Sequence, residues 1–334
     1  MVHYITFPGL FDDILTVPTE TIFGIRLYAV MIMTGFLIAA LYAMKRSREF
    51  GSNPDIVADI LIFALPISII GARIYYVVNM WDYYSQNPKE IIAVWNGGLA
   101  IYGAVIAAAI VVIVYGKIKK MDILSFMDLG AISLLIGQFI GRWGNFFNAE
   151  AYGTATDLPW GMVIRTSVAT TGTAVHPTFL YESLWNFIGF IILHFYSKKR
   201  KFKGEIFLMY VAWYGLGRGF IEGLRTDSLM LGNTDIRISQ VLAFVSCAVA
   251  VLTLIYLYVT KKGIPVTVGA PLAAEGETVS EEENPSENIA EAQADANESA
   301  GENGQEEENE PEQPEISGDD GIDENTDQQD ERKE

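Results

Sequence analysis

Apolar residues dominate the first 260 positions of the chain, in long runs separated by short charged clusters. A helix that crosses the hydrocarbon core of a bilayer needs roughly 20 mainly apolar residues. Seven segments meet or nearly meet this length, although two are short or interrupted by polar residues. They are residues 22–44, 57–79, 99–116, 123–141, 180–197, 205–222 and 238–260. The pattern predicts an all-α polytopic membrane protein with about seven transmembrane helices.

The C-terminal part of the chain has the opposite composition. From Pro271 onward there are 24 acidic residues against Arg332 and Lys333, so this part has a net charge of −22 and the rest has +4. It has almost no aromatic or branched apolar residues, so it cannot bury enough surface to offset the entropy of ordering. We expect residues 263–334 to form a disordered acidic tail. The tail is expected to be a solvated appendage that resists aggregation, with docking to a basic partner as the alternative.

Lysine and arginine collect in alternate connections between the predicted spans. Of the 21 basic residues outside the tail, 13 lie at positions 45–48, 117–120, 198–203 and 261–262. The positive-inside bias makes this side cytoplasmic, with the N-terminus outside and the tail inside. No cleavable signal peptide is evident, because Asp12, Asp13 and Glu20 precede the first span. Within the membrane domain, residues 1–262, the longest external connection runs from about 142 to 179 and predicts a small folded cap.

Ionisable residues interrupt several predicted spans, each at a cost of about 2.5–3.5 kcal/mol at a helix centre, and such residues usually face a bundle interior or a wet cavity. They are Arg26, Arg73, Arg142, Glu182, Arg218 and Glu222. All lie in the outward halves of their spans, so we expect one layer at the depth of the outer headgroups. Arginine suits phosphate, since its planar fork donates two hydrogen bonds and stays charged. Snorkelling to the interface is the alternative, and it suits Arg26 best.

Two stretches carry most of this polarity. "GRWGNFFNAEAYG", residues 141–153, follows the fourth predicted span, in which Gly137 and Gly141 would let a neighbouring helix approach closely. In "YGLGRGFIEGLR" the polar positions are spaced four, four and three apart, so they share one stripe of a helix. They are Tyr214, Arg218, Glu222 and Arg225. An ion pair between Arg218 and Glu222 that serves only the fold is the alternative to a functional role.

The histidines and the cysteine give little indication of the protein's function. His176 opens "HPTFLYESLWN" at the mouth of the fifth span, where a hydrogen-bonded loop residue is more common than a base. Cys247 is the single cysteine, which excludes a disulfide within the chain. The three histidines are widely scattered, so a transition-metal site is not expected.

Five motifs follow one another along the first 260 residues: "GARIYYVV", "WNGGLAIYG", "GRWGNFFNAEAYG", "HPTFLYES" and "YGLGRGFIEGLRTD". In this order they resemble the motifs of the bacterial prolipoprotein diacylglyceryl transferases. The resemblance implies transfer of the diacylglyceryl group of phosphatidylglycerol to the lipobox cysteine thiol of a preprolipoprotein, which forms a thioether and releases glycerol phosphate. It also implies a bacterial cytoplasmic membrane protein whose partners are phosphatidylglycerol, preprolipoproteins and the bilayer, without nucleic acid, cofactor or metal.

The resemblance also assigns roles to residues. It makes Arg142 and Arg218 the essential arginines, and Tyr102 the third catalytic candidate. The residues implied to bind the headgroup are Arg142, Asn145, Glu150, Tyr28, Arg73, Tyr214, Glu222 and Arg225. Tyr102 stands where well-studied members have a histidine, and a tyrosine with an unperturbed pKa near 10 is a poor base at neutral pH. Either Tyr102 only hydrogen-bonds the headgroup, or the thiol loses its proton to another group or through its electropositive setting.

Two other classes of function remain open on the sequence. A lipid or anion transporter would also line a bundle with arginines, but we find no internal repeat, and the charges favour one membrane face. A membrane scaffold would use the acidic tail as its working part, with the arginines serving only the fold.

Overall fold

Seven long helices form the body of the protein. The computed structural model describes residues 2–21, 23–166, 170–226, 230 and 236–266. The long helices in these ranges are α1 (Leu27–Arg46), α2 (Pro54–Asn79), α4 (Ile101–Ile118), α5 (Ile123–Asn148), α6 (Thr178–Tyr196), α7 (Glu205–Glu222) and α8 (Ile238–Thr260). A one-turn helix, α3 (Trp81–Tyr84), follows α2. Each predicted span corresponds to one long helix, so the mainly helical class is confirmed.

Six of the helices in the described ranges are long and apolar enough to cross a membrane: α1, α2, α4, α5, α6 and α8. The seventh, α7, is as long as α4 but contains Glu205, Arg218 and Glu222. It packs against α5, α6 and α8, so these polar residues lie in the interior of the bundle. The predicted seven long helices are thus present, and six of them have the composition of a membrane span.

The end of α5 differs from the prediction. The apolar run suggests an end near residue 141, whereas the helix continues to Asn148 and stops where Ala149 takes a left-handed conformation. Glycines at 141 and 144 do not break the helix, because α1 packs on this face: Ile32 lies against Gly141 and Tyr28 against Gly144. Arg142 and Asn145 therefore project from a helix, and the predicted cap at 142–179 begins only after Asn148.

A small sheet, which the sequence analysis did not predict, covers one end of the bundle. It comprises β1 (Val2–Phe7), β2 (Phe11–Pro18) and β3 (Val163–Arg165) in the order β2-β1-β3, with both pairs antiparallel. Ile5 pairs with Leu15 on one side and with Ile164 on the other. Ile5 and Ile164 are buried together with Phe179 at the start of α6. The predicted cap is thus built from two segments, the N-terminal hairpin and the connection between α5 and α6.

Helix α5 is the centre of the bundle, in contact with α1, α6 and α7. Its buried residues Leu129, Ile132 and Leu135 form much of the main core. The buried carboxylate of Asp128 accepts hydrogen bonds from the backbone N–H of Gly204 and Phe207, both at 2.9 Å. Because these N–H groups belong to the first turn of α7, Asp128 satisfies donors that a helix start leaves open and fixes α7 against α5.

The predicted acidic tail lies almost wholly outside the described residues, which end at 266. The first residues of the predicted tail, 263–266, are placed against the connection between α6 and α7. The carbonyl of Ile264 accepts a hydrogen bond from the Lys203 N–H at 2.9 Å, and Pro265 forms a bridge with Phe202. The prediction of disorder beyond residue 266 stays a prediction.

The crossing of α2 and α4 gives a first test of the packing. A Cβ at Gly103 would lie 2.3 Å from the Gly71 carbonyl oxygen and 2.5 Å from the Tyr75 Cβ. We expect Gly103→Ala to force the helices apart and lower the free energy of unfolding by about 1–3 kcal/mol. Gly130→Ala is the control, because a Cβ there meets no atom within 4 Å. Thermal unfolding in detergent measures both, and equal melting temperatures would contradict the close crossing.

Candidate active site

One buried carboxylate, that of Glu182 on α6, joins three arginines from different parts of the chain. Glu182 Oε2 lies 2.6 Å from Arg142 Nη2 of α5, and Glu182 Oε1 lies 3.1 Å from Arg218 Nη1 of α7. Arg225, which follows α7, reaches the same Oε1 at 3.5 Å. We call Glu182, Glu222 and these three arginines the arginine cluster. The structure thus brings together side chains from α5, α6 and α7 that are far apart in sequence.

The second carboxylate of the cluster is Glu222, one turn after Arg218 on the same helix. Arg218 Nη2 lies 2.5 Å from Glu222 Oε2, and the Glu222 carbonyl accepts a hydrogen bond of 2.6 Å from Arg237. The two carboxylates are 5% and 3% exposed, whereas Arg142, Arg218 and Arg225 are 22%, 18% and 12% exposed. Three positive and two negative charges leave the cluster one positive charge, carried on its more open side by guanidinium groups.

The signature that begins at Gly141 extends the cluster by a chain of hydrogen bonds. Arg142 Nη1 donates to Asn145 Oδ1 at 3.4 Å, and Asn145 Nδ2 donates to Glu150 Oε1 at 3.0 Å. Ala149 and Ala151 both have positive φ, 51° and 55°, and turn Glu150 back toward Asn145. A left-handed residue other than glycine costs of order 1 kcal/mol, and such conformations concentrate at functional sites.

A pair of tryptophans fixes α6 against α7 beside the cluster. Trp185 and Trp213 stack with ring centroids 4.4 Å apart, and each indole N–H donates to the other residue's carbonyl, at 2.9 and 3.0 Å. Trp185 lies directly on Gly217, where a Cβ would come within 2.1 Å of its Nε1. Only glycine allows this contact, which holds the next residue, Arg218, opposite Glu182.

Two of the predicted site residues have their described contacts elsewhere. Arg73 is buried, and it donates four hydrogen bonds to the carbonyls of Glu90, Ile91, Gly97 and Gly98, at 2.6–2.9 Å. It therefore shapes the connection between α2 and α4. The Tyr102 hydroxyl lies 3.4 Å from Ser239 Oγ, and its ring lies near that of Tyr75. None of these described contacts joins Arg73 or Tyr102 to the arginine cluster.

The two other predicted tyrosines lie closer to the arginine cluster. The Tyr28 ring lies against Gly144, between Arg142 and Asn145 on α5. Tyr214 lies one turn before Arg218 and stacks on Tyr210. Arg26, for which the sequence favours snorkelling, is exposed, and its side chain has no ion pair or hydrogen bond among the described residues.

His176 is a hydrogen-bonded loop residue, as the sequence analysis favoured. Its Nδ1 lies 3.1 Å from the Tyr181 hydroxyl, which accepts a hydrogen bond of 2.7 Å from Trp160 Nε1. The backbone of His176 pairs with Gly153 and Thr154, which in turn pair with the segment that contains Arg225. In the ranges that the structure describes, no group of three or more His, Cys, Asp or Glu side chains could hold a metal ion.

Glu182 is expected from the sequence in the charged layer at the outer headgroups but is not among the individual site residues that the sequence predicts. The sequence shows it as one of six ionisable residues within the spans, but a single sequence does not show which helices meet. The usable signal is its place in the second turn of α6, in the same outward layer as the arginines. A carboxylate at that depth needs a cationic partner, and Arg142 and Arg218 are available.

The role of Glu182 gives a stability test. We expect Glu182→Gln to lower the free energy of unfolding by about 3 kcal/mol, since it leaves three neighbouring guanidinium groups with less compensation. Asp59→Asn is the control, because Asp59 also lies within a span but its hydroxyl partner is Tyr115 rather than an arginine. Thermal unfolding in detergent compares the two variants. An equal or smaller loss in Glu182→Gln would show that the carboxylate does not hold the cluster together.

Comparisons with known proteins agree with the geometry. The sequence profile of the family described as prolipoprotein diacylglyceryl transferase matches residues 17–256. The chain is 45% identical over 240 residues to a phosphatidylglycerol–prolipoprotein diacylglyceryl transferase of Lysinibacillus sphaericus (strain C3-41), covering 70% of this chain and 88% of the relative. It is 42% identical over 239 residues to the enzyme of that name from Clostridioides difficile (strain 630), covering 71% and 93%. The chain is a multi-pass membrane protein that belongs to the prolipoprotein diacylglyceryl transferase family.

Proposed function

We propose that this protein transfers the diacylglyceryl group of phosphatidylglycerol to the lipobox cysteine thiol of preprolipoproteins, the first step of bacterial lipoprotein maturation. The observation that carries the proposal is the arginine cluster, with its excess positive charge on the partly exposed guanidinium groups of Arg142 and Arg218. The relatives' names, which specify phosphatidylglycerol and prolipoprotein, give the substrates.

The arginine cluster suits the phosphodiester of the headgroup. Arg142 and Arg218 each have N–H groups beyond those directed at the carboxylates, and a guanidinium can bind phosphate through two parallel hydrogen bonds. Glu182 and Glu222 hold the arginines in place before the lipid arrives, so little reorganisation is needed. Five further residues complete the proposed headgroup site around these arginines: Asn145, Glu150, Tyr28, Tyr214 and Arg225. Arg73 contributes by shaping the connection that follows α2.

The proposed reaction is a displacement at carbon. The cysteine sulfur attacks the glycerol carbon that bears the phosphate oxygen, the C–O bond breaks with its electron pair going to that oxygen, and glycerol phosphate leaves. The thiol proton passes to water or to a basic group before or during the attack. Arg142 and Arg218 stabilise the charge that develops on phosphate. An electropositive setting also favours the thiolate, whose reference pKa is about 8.5.

We also propose an orientation and an arrangement of the chain. Basic residues at 45–48, 117–120, 198–203 and 261–262 mark the cytoplasmic side of a bacterial cytoplasmic membrane. The N-terminal hairpin and the arginine cluster then face outward, and the acidic residues beyond the membrane domain (1–262) extend into the cytoplasm. The transporter alternative gains no support from the relatives, and α5 and α7 are continuous helices where they carry Arg142 and Arg218.

Reconstitution tests the function directly. Purified protein in vesicles with phosphatidylglycerol should attach a diacylglyceryl group to a synthetic lipobox peptide, detected by mass spectrometry. We expect Arg142→Lys to reduce the rate about 100-fold or more, because lysine cannot reproduce the bidentate fork. Arg26→Lys is the matched control and should retain activity. Absence of the adduct with the unaltered protein would refute the function, whereas an active Arg142→Lys would refute only the site.

The role of Tyr102 has its own test. We expect Tyr102→Phe to lower turnover only moderately, by about tenfold or less, if the hydroxyl only contributes a hydrogen bond at the headgroup. The rate of adduct formation and lipid binding should be measured together. Complete loss of turnover with unchanged lipid binding would instead make the hydroxyl essential to the chemistry.

A further inference from the structure

A second set of polar side chains lies one to two helical turns inside the bundle from the arginine cluster. Gln138 precedes Arg142 by four residues on α5, and Tyr214 precedes Arg218 by four on α7. Four residues advance a helix by about 6 Å, so both lie nearer the middle of the bundle than the arginines. Tyr210, one further turn inward on α7, lies beside both. We call Gln138, Tyr210 and Tyr214 the inner polar group.

Direct contacts connect the three members. Gln138 Nε2 donates to the Tyr210 hydroxyl at 2.8 Å, which links α5 to α7. The Tyr210 and Tyr214 rings stack with centroids 5.8 Å apart and an interplanar angle of 20°. Tyr210 is buried, while Gln138 and Tyr214 are partly exposed. The inner polar group therefore continues the polar surface of the arginine cluster toward the middle of the membrane domain.

Two of the three side chains have hydrogen-bonding capacity that the described residues do not use. Gln138 Oε1 is buried without a donor in the described part of the chain. An unsatisfied buried polar group is destabilising and rare in native proteins, so this atom indicates a hydrogen-bond partner outside the described chain. The Tyr214 hydroxyl likewise forms no hydrogen bond with any described residue. Each of these two residues precedes an arginine of the cluster by four positions, so it lies on the same helix face and one turn nearer the middle of the bundle.

We infer that the inner polar group binds the ester carbonyls of the diacylglyceryl group, an inference that rests on the proposed function. When the phosphate is bound at the arginines, the glycerol backbone and acyl chains extend toward the middle of the membrane. The polar atoms of a diacylglyceryl group below the phosphate are ester oxygens, which only accept hydrogen bonds. Tyr214, which lies at the inner edge of the proposed headgroup site, can donate its hydroxyl proton to one carbonyl.

Gln138 can donate a hydrogen bond to the other carbonyl if its side-chain amide rotates by 180°. After a half rotation, Oε1 accepts from the Tyr210 hydroxyl and Nε2 donates to the ester. Rotation without lipid would only move the unsatisfied atom from Oε1 to Nε2, so the lipid carbonyl completes the network. The two esters would then hold the glycerol carbons at a fixed position relative to the arginines. This positioning favours ester-linked over ether-linked lipid, because an ether has no carbonyl.

The experiment compares diester phosphatidylglycerol with its diether analogue of the same chain length. Full-length protein is reconstituted with each lipid, and adduct formation on the lipobox peptide gives kcat/KM. One or two hydrogen bonds predict about a tenfold preference for the diester. Gln138→Leu and Tyr214→Phe should each reduce that preference toward unity by slowing the diester reaction more than the diether reaction. Tyr256→Phe changes an exposed tyrosine on α8 that is not part of the inner polar group; it is the control and should keep the preference.

A second readout separates this inference from the proposed function. The increase in melting temperature that each lipid causes reports binding without turnover, and it should show the same diester preference. Binding preference without adduct formation would support the inner polar group while refuting the transferase. Transfer without a diester preference in the unaltered protein would support the transferase and refute the role of the inner polar group. Equal losses on both lipids in Gln138→Leu and Tyr214→Phe would also overturn the inference, since they would indicate a role in the fold alone.

Discussion

The ion pairs made by Glu182 are the interaction on which the functional end of the bundle depends. Three guanidinium groups within reach of one another in a medium of low dielectric constant would repel strongly. The buried carboxylate offsets this repulsion, and each partner comes from a different segment: Arg142 from α5, Arg218 from α7 and Arg225 from the chain that follows α7. The packing of these segments therefore depends on the same carboxylate that balances their charge, with Glu222 on α7 as the second carboxylate of the cluster.

Two further contacts hold the arginines at their positions along the helices. Asp128 fixes the first turn of α7 to α5 at the opposite end of the bundle. The Trp185 and Trp213 pair fixes α7 to α6 beside the cluster. Contacts at the start and near the middle of α7 oppose sliding of the helix, so Arg218 stays opposite Glu182. Pre-positioned charges of this kind stabilise a developing anion without reorganising when the reaction occurs.

The sequence predicted the features that depend on periodicity and segment length. It did not predict contacts between side chains that lie on different helices or loops. Membrane spans can be recognised in the sequence because bilayer thickness sets their length. The ion pair between Arg218 and Glu222 can also be predicted, because side chains four residues apart are neighbours on any α-helix. Glu182 pairs across helices, and Arg73 is bound by backbone carbonyls that have no sequence signal. The three-residue strand β3 gives too short a pattern to predict alone, and its partner β1 lies far earlier in the sequence, before the first helix.

If the proposed reaction takes place at the arginine cluster, the charge balance of the cluster accounts for a tyrosine at position 102, where the family resemblance implies a histidine. Under the proposed reaction, a thiolate and a phosphodiester become a neutral thioether and a doubly charged glycerol phosphate. The total charge is unchanged, but it moves from sulfur to phosphate. Arginines near the phosphate therefore stabilise the late stages of the reaction more than the early ones, which is the condition for catalysis.

Ionisation of the thiol is the second demand of the reaction. A thiol with a pKa near 8.5 is already a few per cent ionised at pH 7, and electropositive surroundings raise that fraction. Under the proposed site assignment, the arginines supply both the thiolate and the leaving-group stabilisation, so that Tyr102 needs to contribute only a hydrogen bond.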